Sequence, residues 1–417
     1  MNIYFYKWLW KSHYIAGMIV VPFVLLLSVT GVIYLFKDNY EKEVFNNYRT
    51  VEFNEKRISL EQQLKIAQTN WHKSPEAIVL PTAQNQSTQF TSGKFSHKSS
   101  LFVDPSNGKV LGKINVSETD MHKVRKLHGE LLLGSFGTKI VELVASWMFV
   151  LIISGVYLFW PRKRGLKGLF TIRLKKSKRI FFRDAHTVLG FWFSILIVVI
   201  LMGGFPWTDV FGSGYKWVQK NTNSGFPSTW QGQGLTSTET SLKPLSLDEM
   251  IQKAQALNLV GEVSLNFPKS LKGVYTVTNQ TTRLSEMKSI HLNQYTGNVI
   301  QQHSWSDIGI MMKARLWLMA FHQGKFGKWN FILILITAVA LTLLSIAAVL
   351  SFFKSKSLRE IKINPKHNGK TTLFPAVFII VLAVLLPLFG ISLFLVFMFS
   401  YVVAYLKKNQ SSVLKTS

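Results

Sequence analysis

The stretch Lys11-Ser-His13-Tyr-Ile-Ala-Gly17 leads directly into an apolar run at residues 18–36. His13 and Gly17 are four residues apart, about one helical turn, so both lie on one face of a helix. A glycine at this position leaves room for a bulky group beside the imidazole. Three more histidines stand with nearby glycines at the start of apolar runs: His128 with Gly129, Gly134 and Gly137, His186 with Gly190, and His322 with Gly324 and Gly327.

The composition indicates an integral membrane protein. The chain has 417 residues, of which 48% are hydrophobic. These residues gather in runs such as 18–36 and 331–353, close to the ~20 apolar residues that cross a bilayer as a helix. The first run is too long for a cleaved signal peptide, and it continues apolar where a cleavage site would fall.

The net charge of +27 is distributed unevenly. Much of the excess lies in the segments 162–183 and 354–370, whereas residues 37–126 are nearly balanced. This asymmetry is typical of cytoplasmic loops in membrane proteins, and it argues against a nucleic-acid partner. It places both termini and both basic loops in the cytoplasm and the two polar regions outside.

The absence of cysteine limits the possible redox chemistry. It excludes disulfides, cysteine-ligated zinc, iron–sulfur clusters and c-type haem attachment. Any metal or redox centre must therefore use His, Met, Tyr or carboxylate ligands.

The two polar regions follow one pattern, which indicates an internal duplication. Each begins with a capped amphipathic helix, at 59–67 with Ser59 as N-cap and at 245–254. Each continues with strands and an Asn-Gly or Thr-Gly turn. The predicted strands are 77–80, 89–91, 101–103, 109–114, 263–267, 273–278, 288–292 and 298–302.

The C-terminal apolar stretch, residues 373–406, is too long for one membrane helix at 1.5 Å per residue. Pro387 and Gly390 interrupt it, and basic residues flank both ends. We therefore expect a hairpin of two short helices, with one long tilted helix as the alternative.

These boundaries predict an α-helical integral membrane protein with a four-helix core, a C-terminal hairpin and two extracytoplasmic α+β units. The predicted segments are: 1–36, anchor and first membrane helix; 37–126, first α+β unit; 127–161, histidine segment and second membrane helix; 162–184, basic loop; 185–206, third membrane helix; 207–314, loop and second α+β unit; 315–353, histidine segment and fourth membrane helix; 354–371, basic loop; 372–406, hairpin; 407–417, cytoplasmic tail.

The predicted orientation sorts the four histidines into two layers. His13 and His186 lie near the cytoplasmic face, and His128 and His322 lie near the outer face. A pseudo-two-fold axis would bring the members of each layer to equivalent positions. A facing histidine pair between helices is typical of a b-type haem, so we expect two such haems, with a proton relay or a divalent metal site as alternatives. The remaining histidines are expected to be mostly solvated, with His122 as a reserve ligand.

Several motifs in combination resemble the PepSY-associated transmembrane (iron-regulated membrane protein) family, which includes inner-membrane ferric-siderophore reductases. They are His13-x-x-x-Gly17 with Thr30-Gly31, Leu127-His128-Gly129 with Ser154-Gly155 and Trp160-Pro-Arg, Arg183-Asp-x-His186-x-x-x-Gly190, and Phe321-His322-x-Gly324. The polar regions 59–114 and 245–302 resemble its two PepSY units. The chain departs from the family at Ser345-Ile-Ala-Ala348, where Thr/Ser-Gly is usual.

The resemblance implies two b haems ligated by histidines and the reduction of ferric siderophores in the periplasm. It assigns the ligand roles to His13, His186, His128 and His322; the pairing within layers is inferred from topology. The expected partners are a ferric siderophore or chelate, an electron donor on the cytoplasmic or membrane side, and lipid. The expected location is the bacterial inner membrane. The rival functions are a non-catalytic PepSY regulatory or anchoring protein and a transporter of iron or haem.

Overall fold

The computed structural model describes residues 3–160, 166–238, 243–354 and 373–413. Most of the second basic loop, including His367, lies outside these residues. The chain divides into two units. The membrane unit comprises Met1–Val32, Leu127–Trp217 and Ile334–Ser417, and the sheet unit comprises Ile33–Lys126 and Val218–Leu333.

The described residues form thirteen α-helices, besides short 3-10 turns. They are α1 (Ile3–Leu35), α2 (Lys37–Val44), α3 (Asn46–Arg49), α4 (Leu60–Asn70), α5 (Asp120–Glu130), α6 (Gly134–Phe159), α7 (Lys178–Gly204), α8 (Val210–Asn221), α9 (Leu247–Ala256), α10 (Ile310–His322), α11 (Lys328–Phe353), α12 (Leu373–Leu385) and α13 (Pro387–Val413).

Among the described residues, four helices are long and apolar enough to cross a membrane. The apolar stretches are Tyr6–Leu35, Gly134–Phe159, Lys178–Trp207 and Lys328–Phe353. They coincide with the four core segments expected from the sequence. Two helices begin earlier than predicted, α1 at Ile3 and α7 at Lys178. Hydropathy marks only the apolar part of a helix, whereas Lys and Arg are good helix formers and continue it beyond that part.

The C-terminal apolar stretch forms two helices that meet at Leu386. The N–H of Leu386 donates to Leu382 at 2.8 Å and closes α12, and the N–H of Gly390 donates to Leu386 at 3.0 Å and opens α13. A Cβ on Gly390 would press on the carbonyl of Ala383, so the corner is tight. The alternative of one uninterrupted helix is therefore wrong, whereas crossing of the membrane by both helices stays a prediction. The second helix also continues past the predicted end at residue 406, to Val413.

The sheet unit contains one antiparallel sheet of eight strands in the order β4-β3-β2-β1-β5-β6-β7-β8. The strands are β1 (Ala77–Val79), β2 (Thr88–Ser92), β3 (Ser99–Val103), β4 (Val110–Asn115), β5 (Glu262–Asn266), β6 (Val274–Gln280), β7 (Lys288–Asn293) and β8 (Val299–Ser304). All eight predicted strands are present. The two predicted α+β regions share this sheet because β1 pairs with β5, with Ile78 opposite Leu265.

The two capped helices pack on the sheet and on each other. Ser59 and Ser246 each accept an N–H bond and complete a capping box, as predicted for Ser59. Met250 of α9 is fully buried together with Ile78, Phe90 and Leu265 of the strands. Burial of these apolar side chains, at about 25 cal/mol per Å², accounts for the packing of both helices on one face.

Candidate functional site

The membrane unit brings His13 of α1 and His186 of α7 together. Their ring centres are 6.5 Å apart, and the ring planes make an angle of 73°. His13 comes from the first half of the predicted duplication and His186 from the second, as expected for a pair in one layer. Each ring is only partly buried, although both lie on apolar helices.

Hydrogen bonding defines the tautomer of His186. Its Nδ1 lies 3.2 Å from the carbonyl oxygen of Leu344 on α11. Since a carbonyl oxygen can only accept, Nδ1 carries the hydrogen, and the neutral ring has its lone pair on Nε2.

The tautomer of His13 follows from a similar argument. Its Nδ1 lies 2.8 Å from the Oγ of Ser154 on α6. The hydroxyl of Ser154 donates its hydrogen to the carbonyl of Leu151 at 3.1 Å. Ser154 must therefore accept from His13, which leaves the lone pair of His13 on Nε2 as well.

His128 has the same arrangement near the end of α5. Its Nδ1 lies 3.1 Å from the Oγ1 of Thr30 on α1. The Thr30 hydroxyl donates to the carbonyl of Leu26 at 2.7 Å, so it accepts from His128. All three histidines thus use Nδ1 as donor, the arrangement in which a metal-binding histidine ligates through its other nitrogen.

Gly155 and Gly31, which follow Ser154 and Thr30, allow the histidine rings to pack closely against their helices. A Cβ on Gly155 would lie 3.1 Å from the Cε1 of His13, and one on Gly31 would lie 3.4 Å from the Cε1 of His128. Each Ser/Thr-Gly pair therefore fixes a histidine on another helix, the hydroxyl through Nδ1 and the glycine through close packing. The sequence interpretation missed this role because Ser154 is 141 residues from His13.

Gly17 lies beside open space, as its spacing from His13 predicted. A Cβ there would meet only the Cδ2 of Leu151, at 4.0 Å. No described protein atom presses on this face of α1, one turn after His13. The space that Gly17 leaves is thus not needed by the protein itself.

Ser345 stands where the family usually has a Thr/Ser-Gly pair, and its hydroxyl does not hold a histidine. Ser345 is fully buried and donates to the carbonyl of Leu341 at 2.8 Å, on its own helix. His186 uses the backbone carbonyl of Leu344 instead of a hydroxyl. A Cβ on Gly190 would lie 3.3 Å from the Cδ1 of Leu344, so this face of α7 is also closely packed.

The basic loop is anchored beside His186 by an ion pair that the sequence interpretation did not include. Asp184 is 5% exposed and accepts from the Nε of Arg173 at 2.6 Å. Arg183 donates to its other oxygen at 3.1 Å. Arg173 and Asp184 thereby fix the entry of α7, two residues before the histidine.

The other histidines are placed differently. His322 is the last residue of α10 in the sheet unit, and its pairing with His128 stays a prediction. His122 on α5 is buried. The expectation of mostly solvated histidines is wrong for His291 and His303, which are 0% and 6% exposed with ring centres 5.8 Å apart. Burial lowers the pKa of His291 to about 4.

The donor set of the His13–His186 pair fits a haem. A ring-centre distance of 6.5 Å accommodates one metal atom bonded at about 2 Å to a nitrogen of each ring. Within the described ranges, no group of three or more His, Asp or Glu side chains could hold a metal ion. A metal bound by side chains alone commonly takes four ligands, whereas haem iron needs only axial ones.

The fold and these residues define a polytopic α-helical membrane protein with an antiparallel sheet unit and histidines held between its helices. The profile of the family described as PepSY-associated TM region matches residues 10–355, so the chain belongs to that family. A comparison with curated proteins finds no match.

Proposed function

We propose that the chain is a b-haem electron-transfer protein of the bacterial inner membrane that reduces periplasmic ferric siderophores. One observation carries the proposal. The ring centres of His13 and His186 lie 6.5 Å apart, and both Nδ1 atoms donate to the protein, so the Nε2 lone pair of each ring is left for a metal.

The residues around the pair perform separate tasks. His13 and His186 would hold the haem iron, and Ser154 and Leu344 keep both rings in the ligating tautomer. Gly17 leaves room for a macrocycle on the same helix face as His13. A haem held by both imidazoles would supply one-electron transfer.

A second haem near the outer face would complete the path across the membrane. His128 supports this part of the proposal because Thr30 and Gly31 hold it as Ser154 and Gly155 hold His13. His322 is its proposed partner by position in the duplicated sequence. In this orientation both termini and the basic loops are cytoplasmic, and the two PepSY-like units are periplasmic.

The proposed reaction reduces chelated Fe(III) by one electron to Fe(II), which the siderophore holds less tightly and releases. The electron comes from a donor on the cytoplasmic or membrane side and enters near His13 and His186.

The test is the absorption spectrum of the purified protein before and after dithionite. We expect a low-spin b-haem signal that decreases in His13→Ala and His186→Ala, and that is retained in His72→Ala, a control at an exposed position. A colourless wild-type protein would favour the regulatory or anchoring alternative. Uptake of iron or haem by liposomes without an electron donor would favour a transporter.

A further inference from the structure

The corner between α5 and α6 has an unusual backbone. Leu131 and Leu132 have φ angles of 49° and 59°, and Gly134 follows at 60°. The left-handed region suits glycine, whereas a leucine there brings its Cβ close to the next carbonyl. Two consecutive leucines in this region persist only where the surrounding structure requires it.

Burial of the leucine side chains does not explain the corner. Leu132 is 60% exposed, and Leu131 is only partly buried. The backbone contacts are instead closely arranged. The N–H of Leu131 donates to Leu127 at 3.2 Å, and the N–H of Leu133 donates to Glu130 at 2.8 Å.

Gly137 closes the corner from the side of α6. A Cβ at this position would overlap the carbonyl oxygen of Glu130, the last residue of α5. The first turn of α6 therefore lies directly against the C-terminal end of α5. Because backbone atoms form this contact, it cannot adjust by a change of rotamer.

The corner begins at Leu131, three residues after His128, whose ring is held at Thr30 on α1. α5 is thus fixed at its end by α6 and at its histidine by α1. A shift of Glu130 away from α6 would carry the ring of His128 away from Thr30 and Gly31.

We propose that this corner, left-handed at Leu131 and Leu132 and closed by Gly137, positions His128 for ligation. The inference rests on the proposed function, since it takes His128 as a haem ligand. Gly137, Leu131 and Leu132 are positioning residues, because they act on the ligand through the backbone of α5.

The test compares Gly137→Ala with Gly214→Ala on α8 in the purified full-length protein. The substitution is the same, but a Cβ on Gly214 meets no atom within 4 Å, and Gly214 lies outside the proposed haem sites. EPR spectra and potentiometric titrations would resolve the two haems, and His128→Ala would identify the signal that depends on His128. We expect Gly137→Ala to shift or abolish that signal alone, and Gly214→Ala to match the wild type.

A second variant covers the case in which Gly137→Ala does not accumulate. The double substitution Leu131→Gly and Leu132→Gly is compatible with the left-handed backbone but makes the corner flexible. We expect its His128-dependent EPR signal to broaden and the amides of α5 to exchange hydrogen faster. Thr30→Val, which removes the hydroxyl partner of His128, is the positive control for a displaced ring.

The outcomes separate this inference from the proposed function. Two wild-type haem signals that remain unchanged in Gly137→Ala, or in the double glycine variant, overturn the inference but leave the proposed function intact. A wild-type protein that contains no haem overturns both.

Discussion

The Nδ1 of His13 and the Oγ of Ser154 lie 2.8 Å apart, and the Ser154 hydroxyl is already committed to the carbonyl of Leu151. His13 is therefore the donor, and its Nε2 carries the lone pair. A hydrogen bond of this kind raises the basicity of a ligating imidazole and fixes its orientation. One hydroxyl thus determines both the tautomer and the ligand strength of the histidine.

Ser154→Ala should weaken haem binding at the His13–His186 pair. We expect a loss of roughly 10-fold or more in affinity, the usual effect of removing the hydrogen-bond partner of a metal ligand. The midpoint potential of the remaining haem should rise, because a less basic imidazole stabilises Fe(III) less. Haem content per protein and a redox titration measure the two effects.

The matched control for this substitution is Ser146→Ala on the same helix. Ser146 is 1% exposed and donates to the carbonyl of Glu142 at 2.7 Å, as Ser154 does to Leu151. Equal loss of haem in both variants would mean that the effect comes from α6 as a whole and not from His13.

Glu142→Gln should destabilise the attachment of α8 to the membrane unit. Glu142 is 1% exposed, and its two oxygens accept the N–H groups of Val210 and Phe211 at 2.8 and 2.9 Å. An amide keeps one acceptor and turns its NH₂ group toward a backbone donor. Hydrogen bonds to charged groups contribute about 1.5–3 kcal/mol, so we expect a lower apparent Tm in detergent.

The comparison for Glu142→Gln is Glu43→Gln, an exposed position on α2. Glu43→Gln makes the same chemical change at a position that accepts no N–H groups from the start of a helix such as α8. A Tm unchanged in Glu142→Gln would show that water replaces the carboxylate without cost.

The sheet unit should lose stability as the pH rises through about 6. Glu61 accepts the N–H of Leu247 at 2.6 Å, and Asp248 accepts that of Leu60 at 3.2 Å, so each carboxyl group caps the helix of the other. Burial and the bond to Glu61 raise the pKa of Asp248 to about 6, whereas the bond to Asp248 lowers the pKa of Glu61.

The direction of the pH dependence of stability follows from these two pKa shifts. The raised pKa of Asp248 gives stability that is present at low pH and is lost as the pH rises through about 6. The lowered pKa of Glu61 gives stability that is present above its usual value of 4.5 and is lost below it. The pair therefore contributes most between the usual pKa values of the two groups, 3.8 and 4.5, where they share one proton, and it contributes less as the pH rises from 4.5 to about 6.

Asp248→Asn should remove the decline in stability between the usual pKa of Asp, 3.8, and about 6. Its amide can donate to Glu61 at every pH and still accept from Leu60. Hydrogen exchange of the amides in α4 and α9 across this interval measures the effect, with Glu262→Gln at an exposed strand position as control. An identical pH profile in Asp248→Asn and the wild type would contradict the shared proton.

Local patterns predicted the elements of this protein better than their contacts. The capping residue Ser59 and the alternating strands were readable because caps and pleats depend on near neighbours. The partners Ser154 and Leu344 were not readable, because each lies on another membrane helix far along the chain. The helices α5 and α10 were missed because His128 and His322 were assigned to the approaches of the apolar runs. α5 is polar and carries no hydropathy signal, whereas α10 is largely apolar but, at 13 residues, too short to be recognised as a membrane helix.

Gly17→Val tests where the macrocycle lies. The protein itself leaves this face open, since the nearest atom to a Cβ on Gly17 is the Cδ2 of Leu151 at 4.0 Å. The variant should therefore fold and insert normally. A haem ligated by His13 would meet the new methyl groups one turn away, so we expect a marked loss of haem at this pair. Ile15→Phe adds bulk at an exposed position about 200° around the helix from His13 and should retain haem. Full haem content in Gly17→Val would place the macrocycle on another face of α1, and His13 would then need a different partner from His186.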